Sequence, residues 1–158
     1  MTKNISVPPD TRFSIIDGRK IRLEDLGGQP VVVNFWATTC NICRKELPEL
    51  TRLYEKYSDK GLEIINVAMP YDPPNRVLDV ANQNNIPFPV ALDINGDAAR
   101  AFGGINATPT LFLLSPDGDV AMKNVGKTDM EKLEKRIQEL LSRKLLANSN
   151  KQLVANGT

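Results

Sequence analysis

The sequence predicts an α/β protein with a central mixed β-sheet flanked by helices. Three observations carry this prediction. Short β-branched and aromatic runs recur along the 158 residues, separated by stretches with apolar residues at helical spacing. In the middle of the chain strand and helix alternate, the order that builds a parallel core. Asp17-Gly18 near the start and Pro116-Asp117-Gly118 near the end are hairpin signals that add antiparallel strands.

Residues 1–12 carry Pro8 and Pro9 and read as an extended lead-in. Met1–Ser6 has no apolar core and does not read as a secretory signal. Phe13–Leu23 reads as a hairpin, and Gly27-Gly28-Gln29-Pro30 breaks the chain after it. Val31–Trp36 has the composition of a strand buried on both faces. Leu47, Leu50, Leu53, Tyr54 and Tyr57 fall at helical spacing, and that helix is expected to end near Lys60-Gly61. Leu62–Ala68 is a second buried strand, followed by Pro70, Pro73 and Pro74 and a helix over 75–84. A short strand over 88–92 and a short helix over 97–102 follow. Thr110–Leu114 and Val120–Val125 are strands joined by the Pro116-Asp117-Gly118 turn. The last helix is expected to start at Thr128, with Glu131 completing a capping box. It carries Met130, Leu133, Ile137, Leu140 and Leu141 on one stripe. Residues 147–158 are small and polar and are predicted to be a disordered tail, leaving 1–146 as a single domain.

Composition excludes several functions. The net charge of +1, with Lys and Arg scattered, gives no basis for nucleic-acid or membrane-surface binding. No apolar run approaches the ~20 residues of a membrane span. The chain has no histidine, so a histidine general base is impossible. Two cysteines without histidine also fall short of a closed Cys/His zinc site.

Both cysteines sit in Cys40-Asn41-Ile42-Cys43, where a strand gives way to a helix. Disulfide exchange needs a thiolate that attacks and a second thiol that resolves the mixed disulfide. A helix N-terminus favours the thiolate at Cys40, while Cys43 falls one turn later and more shielded. Cys40 is therefore the expected nucleophile and Cys43 the resolving thiol. A structural disulfide is a poor alternative, because so short a loop removes little chain entropy. Binding of Cu(I) by a non-catalytic module, or docking of a partner protein, is the alternative of another class. The motif also has a context. Phe35-Trp36-Ala37 closes the preceding strand, Pro48 lies inside the helix, and Thr108-Pro109 precedes a later strand.

With these features the chain resembles the thioredoxin superfamily over residues 10–145. Val31–Leu50 is similar to the bacterial cell-envelope branch of TlpA- and ResA-like reductases, related to the AhpC/TSA proteins. Asn34 stands where thioredoxins carry a buried Asp, Cys43 is followed three residues on by Glu46, and an αβ insertion occupies about 70–105. A peroxidase of the related fold would need Pro and Thr where this chain has Val33 and Ala37.

The resemblance implies a thioredoxin fold and a thiol–disulfide oxidoreductase that reduces protein disulfides, with a role in cytochrome c maturation. It implies a cis bond before Pro109, facing the cysteines, with the backbone at Thr108 pairing to an extended substrate. Glu46 would oppose thiolate formation and relay protons, unless it is a solvated helix charge. Thr39, Asn41 and Ile42 would join Thr108 in contacting substrate, while Trp36 reads first as packing beneath or beside the site, with substrate contact as its alternative. No cofactor or metal is implied beyond the redox-active Cys40–Cys43 pair. The implied partners are a disulfide-bearing protein and an upstream dithiol donor such as a membrane thiol transporter, met by a monomer in the cell envelope. The residues themselves leave the cytoplasm open. Thr39 replaces the aromatic usual before the first cysteine, and Asn41-Ile42 lacks the usual Pro. Lacking a His or charge in the spacer, and with Glu46 nearby, the pair is expected at the reducing end of the dithiol range, which runs from about −270 to −120 mV.

Overall fold

The computed structural model describes residues 6–156. The sequence readings for residues 1–5 and 157–158 lie outside them. A hairpin opens the chain, β1 (Arg12–Ile15) and β2 (Lys20–Arg22). Its turn uses Gly18 at φ 95°, a left-handed value that a side chain would resist. Then come β3 (Val31–Trp36), α1 (Asn41–Tyr57), β4 (Glu63–Ala68), α2 (Pro74–Gln83), β5 (Val90–Leu92) and α3 (Asp97–Ala101). The chain ends with β6 (Thr110–Leu114), β7 (Val120–Val125) and α4 (Met130–Asn156).

All seven strands form one sheet in the order β2-β1-β5-β4-β3-β6-β7. β3, β4 and β5 run parallel, while β6 pairs antiparallel with β3 and β1 pairs antiparallel with β5. This is the thioredoxin fold, with α2, β5 and α3 supplied by the predicted insertion. The sheet is mixed because βαβ crossovers demand parallel neighbours and the terminal hairpins demand antiparallel ones.

Every residue of β3 is buried, so its two faces build two cores. Val31, Val33 and Phe35 join a core closed by α3, where Phe35, Phe102 and Phe112 meet at centroid distances of 4.8 to 6.0 Å. Such tilted and edge-on contacts suit the aromatic quadrupole. On the other face Val32 packs under α1 and α4, and Trp36 under α1 and α2. Asn34 on β3 donates to Asn66 on β4 at 2.8 Å, a buried amide pair inside an otherwise apolar layer.

Two predicted features differ. The final helix starts at Met130 rather than at Thr128. Asp129 provides the cap, its carboxylate accepting the Lys132 N–H at 3.1 Å. Thr128 is occupied elsewhere, as described below. The disordered tail predicted over 147–158 is also replaced, up to Asn156, by a continuation of α4. Ala, Leu, Lys and Gln are strong helix formers, and neither Gly nor Pro interrupts the segment before Gly157.

α4 is tied to α1 through Glu134. Its carboxylate accepts from Tyr57 at 2.7 Å and from Arg52 and Lys56 at 3.1 Å. The Tyr57 hydroxyl, then Arg52 and Lys56, hold the carboxyl down at about 2 against an ordinary 4.5. A lowered carboxyl stabilises the fold above its unfolded value and loses that contribution as pH falls through its folded value. Glu134→Gln should therefore cost about 1 kcal/mol at pH 7, the scale of a surface charge network. The deficit should shrink between pH 4.5 and 2, as urea unfolding midpoints across that range will show.

Candidate active site

The site forms where β3 ends and α1 begins. Ala37 to Thr39 cross the gap, and Cys40 caps the helix with extended backbone, φ −89° and ψ 109°. Its Sγ accepts the Cys43 N–H at 3.2 Å, taking the place of a capping oxygen. Cys40 and Cys43 form a disulfide with a Cα separation of 5.2 Å. The two sulfurs are not equivalent. Cys40 is half-buried, whereas Cys43 is 1% exposed and packs with Trp36 and Leu47.

The loop before β6 closes the other side. The Thr108–Pro109 bond is cis, and the Thr108 carbonyl oxygen lies 3.6 Å from Cys40 Sγ. Pro109 is buried and Thr108 half-buried. Thr39, Asn41 and Ile42 are exposed around the disulfide. Trp36, a candidate for substrate contact, is not at the surface. It is fully buried among Cys43, Leu47, Ala68 and Val77, so its role is packing. Both faces of β3 are buried, and Trp36 shares with Val32 and Asn34 the face on which α1 packs.

Glu46 lies on α1 one turn past Cys43 and is buried, not solvated. Its carboxylate accepts the Thr128 N–H at 2.7 Å and the Thr128 hydroxyl at 3.1 Å. Burial raises its pKa, and the two Thr128 hydrogen bonds only partly offset that. A groove of about 650 Å³ opens beside it, lined in part by Ile42, Lys45, Lys127 and Met130.

Two partnerships escaped the sequence reading. Thr128 was read as a helix cap, although its true partner is 82 residues away. Asp72, between β4 and α2, is buried and takes both donors of Thr38. The Thr38 N–H and the Thr38 hydroxyl each reach its carboxylate at 2.7 Å. A lone Asp between Tyr71 and Pro73 in a turn was the only sign available.

A helix-capping, half-exposed sulfur bonded to a shielded one, beside a cis-proline loop, is suited to disulfide exchange. Comparison with known proteins decides the kinship. Residues 6–123 match the AhpC/TSA family. The chain belongs to that family. It is 39% identical over 133 residues to the thiol–disulfide oxidoreductase ResA of Bacillus thuringiensis strain Al Hakam, covering 84% of this chain and 75% of the relative. It is 31% identical over 135 residues to ResA of Geobacillus thermodenitrificans, covering 85% and 76%. Among solved structures it is similar to a Chlorobium tepidum protein assigned as the thiol:disulfide interchange protein DsbE. That match has a TM-score of 0.79 and 29% identity, over 89% of this chain and 99% of the other. The thioredoxin domain of a Bacteroides vulgatus thiol–disulfide oxidoreductase gives 0.72 and 26%, over 87% and 99%. This AhpC/TSA member is a TlpA/ResA-like thiol–disulfide oxidoreductase, and its substrates are disulfide-containing proteins.

The Glu46–Thr128 contact sets two expectations. A carboxyl with a raised pKa adds stability below its unfolded value and loses it as pH rises through its folded value. Glu46→Gln stays neutral, so its stability relative to the parent chain should rise between pH 4 and 8, read from thermal midpoints. Thr128→Val removes the hydroxyl donor from a buried carboxylate and should cost about 1.5–3 kcal/mol near neutral pH, measured by urea unfolding.

Proposed function

We propose that this chain reduces protein disulfides, with Cys40 as nucleophile and Cys43 as resolving thiol. One observation carries the reading. Of the two sulfurs, only Cys40 is open to solvent, and it sits at the N-terminus of a 17-residue helix. The Cys40 thiolate attacks a substrate sulfur, the substrate S–S bond breaks, and one substrate sulfur leaves as thiolate. Cys43 then attacks Cys40 Sγ, the mixed disulfide breaks, and the second substrate sulfur is released. Two electrons have passed to the substrate, and the pair is left as the disulfide seen here.

Glu46 supports the reducing direction. A carboxylate one turn past Cys43 on the same helix opposes a second negative charge nearby and so would raise thiol pKa values. A stabilised thiolate is what makes a dithiol protein oxidising. At Thr108 the backbone is placed to pair with an extended substrate segment beside Cys40, a form of strand addition. Thr39, Asn41 and Ile42 form the exposed rim that such a segment meets.

The oxidised pair must be recharged by an upstream dithiol donor, and we infer a membrane thiol transporter for that task. Location in the cell envelope, and apocytochrome c or other exported proteins as substrates, rest on the resemblance to envelope reductases and the kinship with ResA. Among the described residues no helix is long and apolar enough to cross a membrane. We infer that the chain acts as a monomer.

Equilibration of the pair with glutathione and dithiothreitol buffers tests the direction. A potential near or below the ~−270 mV of thioredoxin is expected, and one near the ~−120 mV of DsbA overturns the reductase reading. Cys43→Ser should accumulate a mixed disulfide through Cys40, while Cys40→Ser should form none, as mass spectrometry of the trapped products will show.

A further inference from the structure

The redox pair lies at one end of the sheet, and that end carries unusual surface. Phe35 of β3 pairs with Thr110 of β6, and Thr110 with Val125 of β7. On the other side Trp36 pairs with Ala68 of β4, and Ala68 with Leu92 of β5. At this end Val125 closes the last rung, and the chain leaves the sheet toward Cys40 after β3, Tyr71 after β4 and Ile94 after β5, with Ile94 lining one small cavity together with Pro70 and Asp72. Adjacent strands lie about 4.8 Å apart, so the loop carrying Tyr71 leaves the sheet about one strand spacing from the strand that leads to Cys40, and the loop carrying Ile94 about two.

Large apolar side chains are exposed at this end. Ile94 is 66% exposed, Tyr71 65% and Val125 58%, with Ile42 beside the disulfide at 43%. Scattered single exposures need no explanation, but several at the end that carries a reactive sulfur do. The Tyr71 loop is also held in place. Pro70, Pro73 and Pro74 restrict its backbone, the Met69 N–H donates to the Trp36 carbonyl at 3.0 Å, and Asp72 takes both donors of Thr38. The turn that carries Tyr71 is thus latched, through its neighbour Asp72, to the residue two places before Cys40. Position 39, between the latch and the sulfur, is a small exposed threonine that leaves the path open.

We propose that Tyr71 and Ile94 form an apolar docking strip for the residues flanking the substrate's disulfide, with Tyr71 as the specificity-determining aromatic. This deepens the reductase reading above and rests on it. The occupant is an extended segment of a disulfide-bearing protein. With one substrate sulfur at Cys40, a residue two to four places away along an extended chain, at about 3.3 Å each, reaches Tyr71 or Ile94. A large apolar or aromatic side chain there covers the Tyr71 ring, which loses little conformational entropy on being covered because its loop is already fixed. Thr39 contributes by being small, so the segment lies flat between the sulfur and the ring.

The test uses the full chain and two peptide disulfides that differ in one residue, Trp or Ser, three places from the attacked cysteine. A small disulfide, 5,5′-dithiobis(2-nitrobenzoate), is assayed in parallel. The parent chain should favour the Trp peptide about tenfold in kcat/KM. Tyr71→Ala should reduce that ratio to near one through KM, while Tyr71→Trp should keep it. Equal rates on the two peptides by the parent chain, or an undiminished preference in Tyr71→Ala, overturns the docking strip and leaves the reductase reading standing. Turnover of the small disulfide but of neither peptide also overturns the strip. Turnover of none of the three overturns the reductase reading itself.

Discussion

The site depends on a strand that is buried on both faces and ends abruptly. Because β3 is held by β4 on one side and β6 on the other, its last residue is fixed to the sheet. The chain has three residues, Ala37 to Thr39, in which to turn into α1. That turn leaves unpaired N–H groups at the helix start, and Cys40 Sγ takes one of them. The Cys40 sulfur therefore sits at the helix start for the same reason that the helix is capped, where a thiolate would be favoured. The 1% exposure of Cys43 follows directly, since one helical turn carries it back over Trp36 on the sheet.

The surrounding contacts hold that junction in place. Asp72 ties the end of β3 to the turn after β4, and Glu46 ties the first turns of α1 to the start of α4. Each is a buried carboxylate receiving a backbone N–H and a hydroxyl from one threonine. Such charge-assisted bonds are about twice as strong as neutral ones, and their geometry is fixed. With Glu134 joining α1 to α4 further along, the redox helix is held at both ends. Its first turn can carry an exchange reaction without loss of register.

Most of the architecture was legible because it follows from local pattern. β6 and β7 fall at the predicted residues, since Pro116-Asp117-Gly118 marks the turn and the flanking runs are apolar and β-branched. The CxxC pair and Thr108-Pro109 were legible as motifs. Side-chain pairing across the fold was not. Asn34 with Asn66, Thr38 with Asp72 and Glu46 with Thr128 are 32, 34 and 82 residues apart. Nothing periodic links such positions. Thr128 was misread because Thr-x-x-Glu is a sound local cap signal, outcompeted here by a buried carboxylate that needed a donor. For Trp36 the packing reading holds: β3 is buried on both faces, as its composition predicts, and that leaves no solvent face for a substrate to reach.

The charge balance at the pair explains why one fold can serve opposite redox directions. Sulfur anions at a helix start gain from the dipole and from the N–H groups there. In this chain that gain is a single N–H from Cys43, with Arg44 and Lys45 exposed to water and screened. Against it stands Glu46, on the same helix and already resistant to ionisation through burial. Two nearby anions are poorly stabilised by one helix end, so in the proposed reductase a thiolate and the Glu46 carboxylate would oppose each other. A dithiol protein whose reduced thiols stay neutral lacks the main source of oxidising power, which is a stable thiolate. In the reductase proposed above, the residue one turn beyond the motif would bias the direction of exchange, since the spacer Asn41-Ile42 contributes no charge.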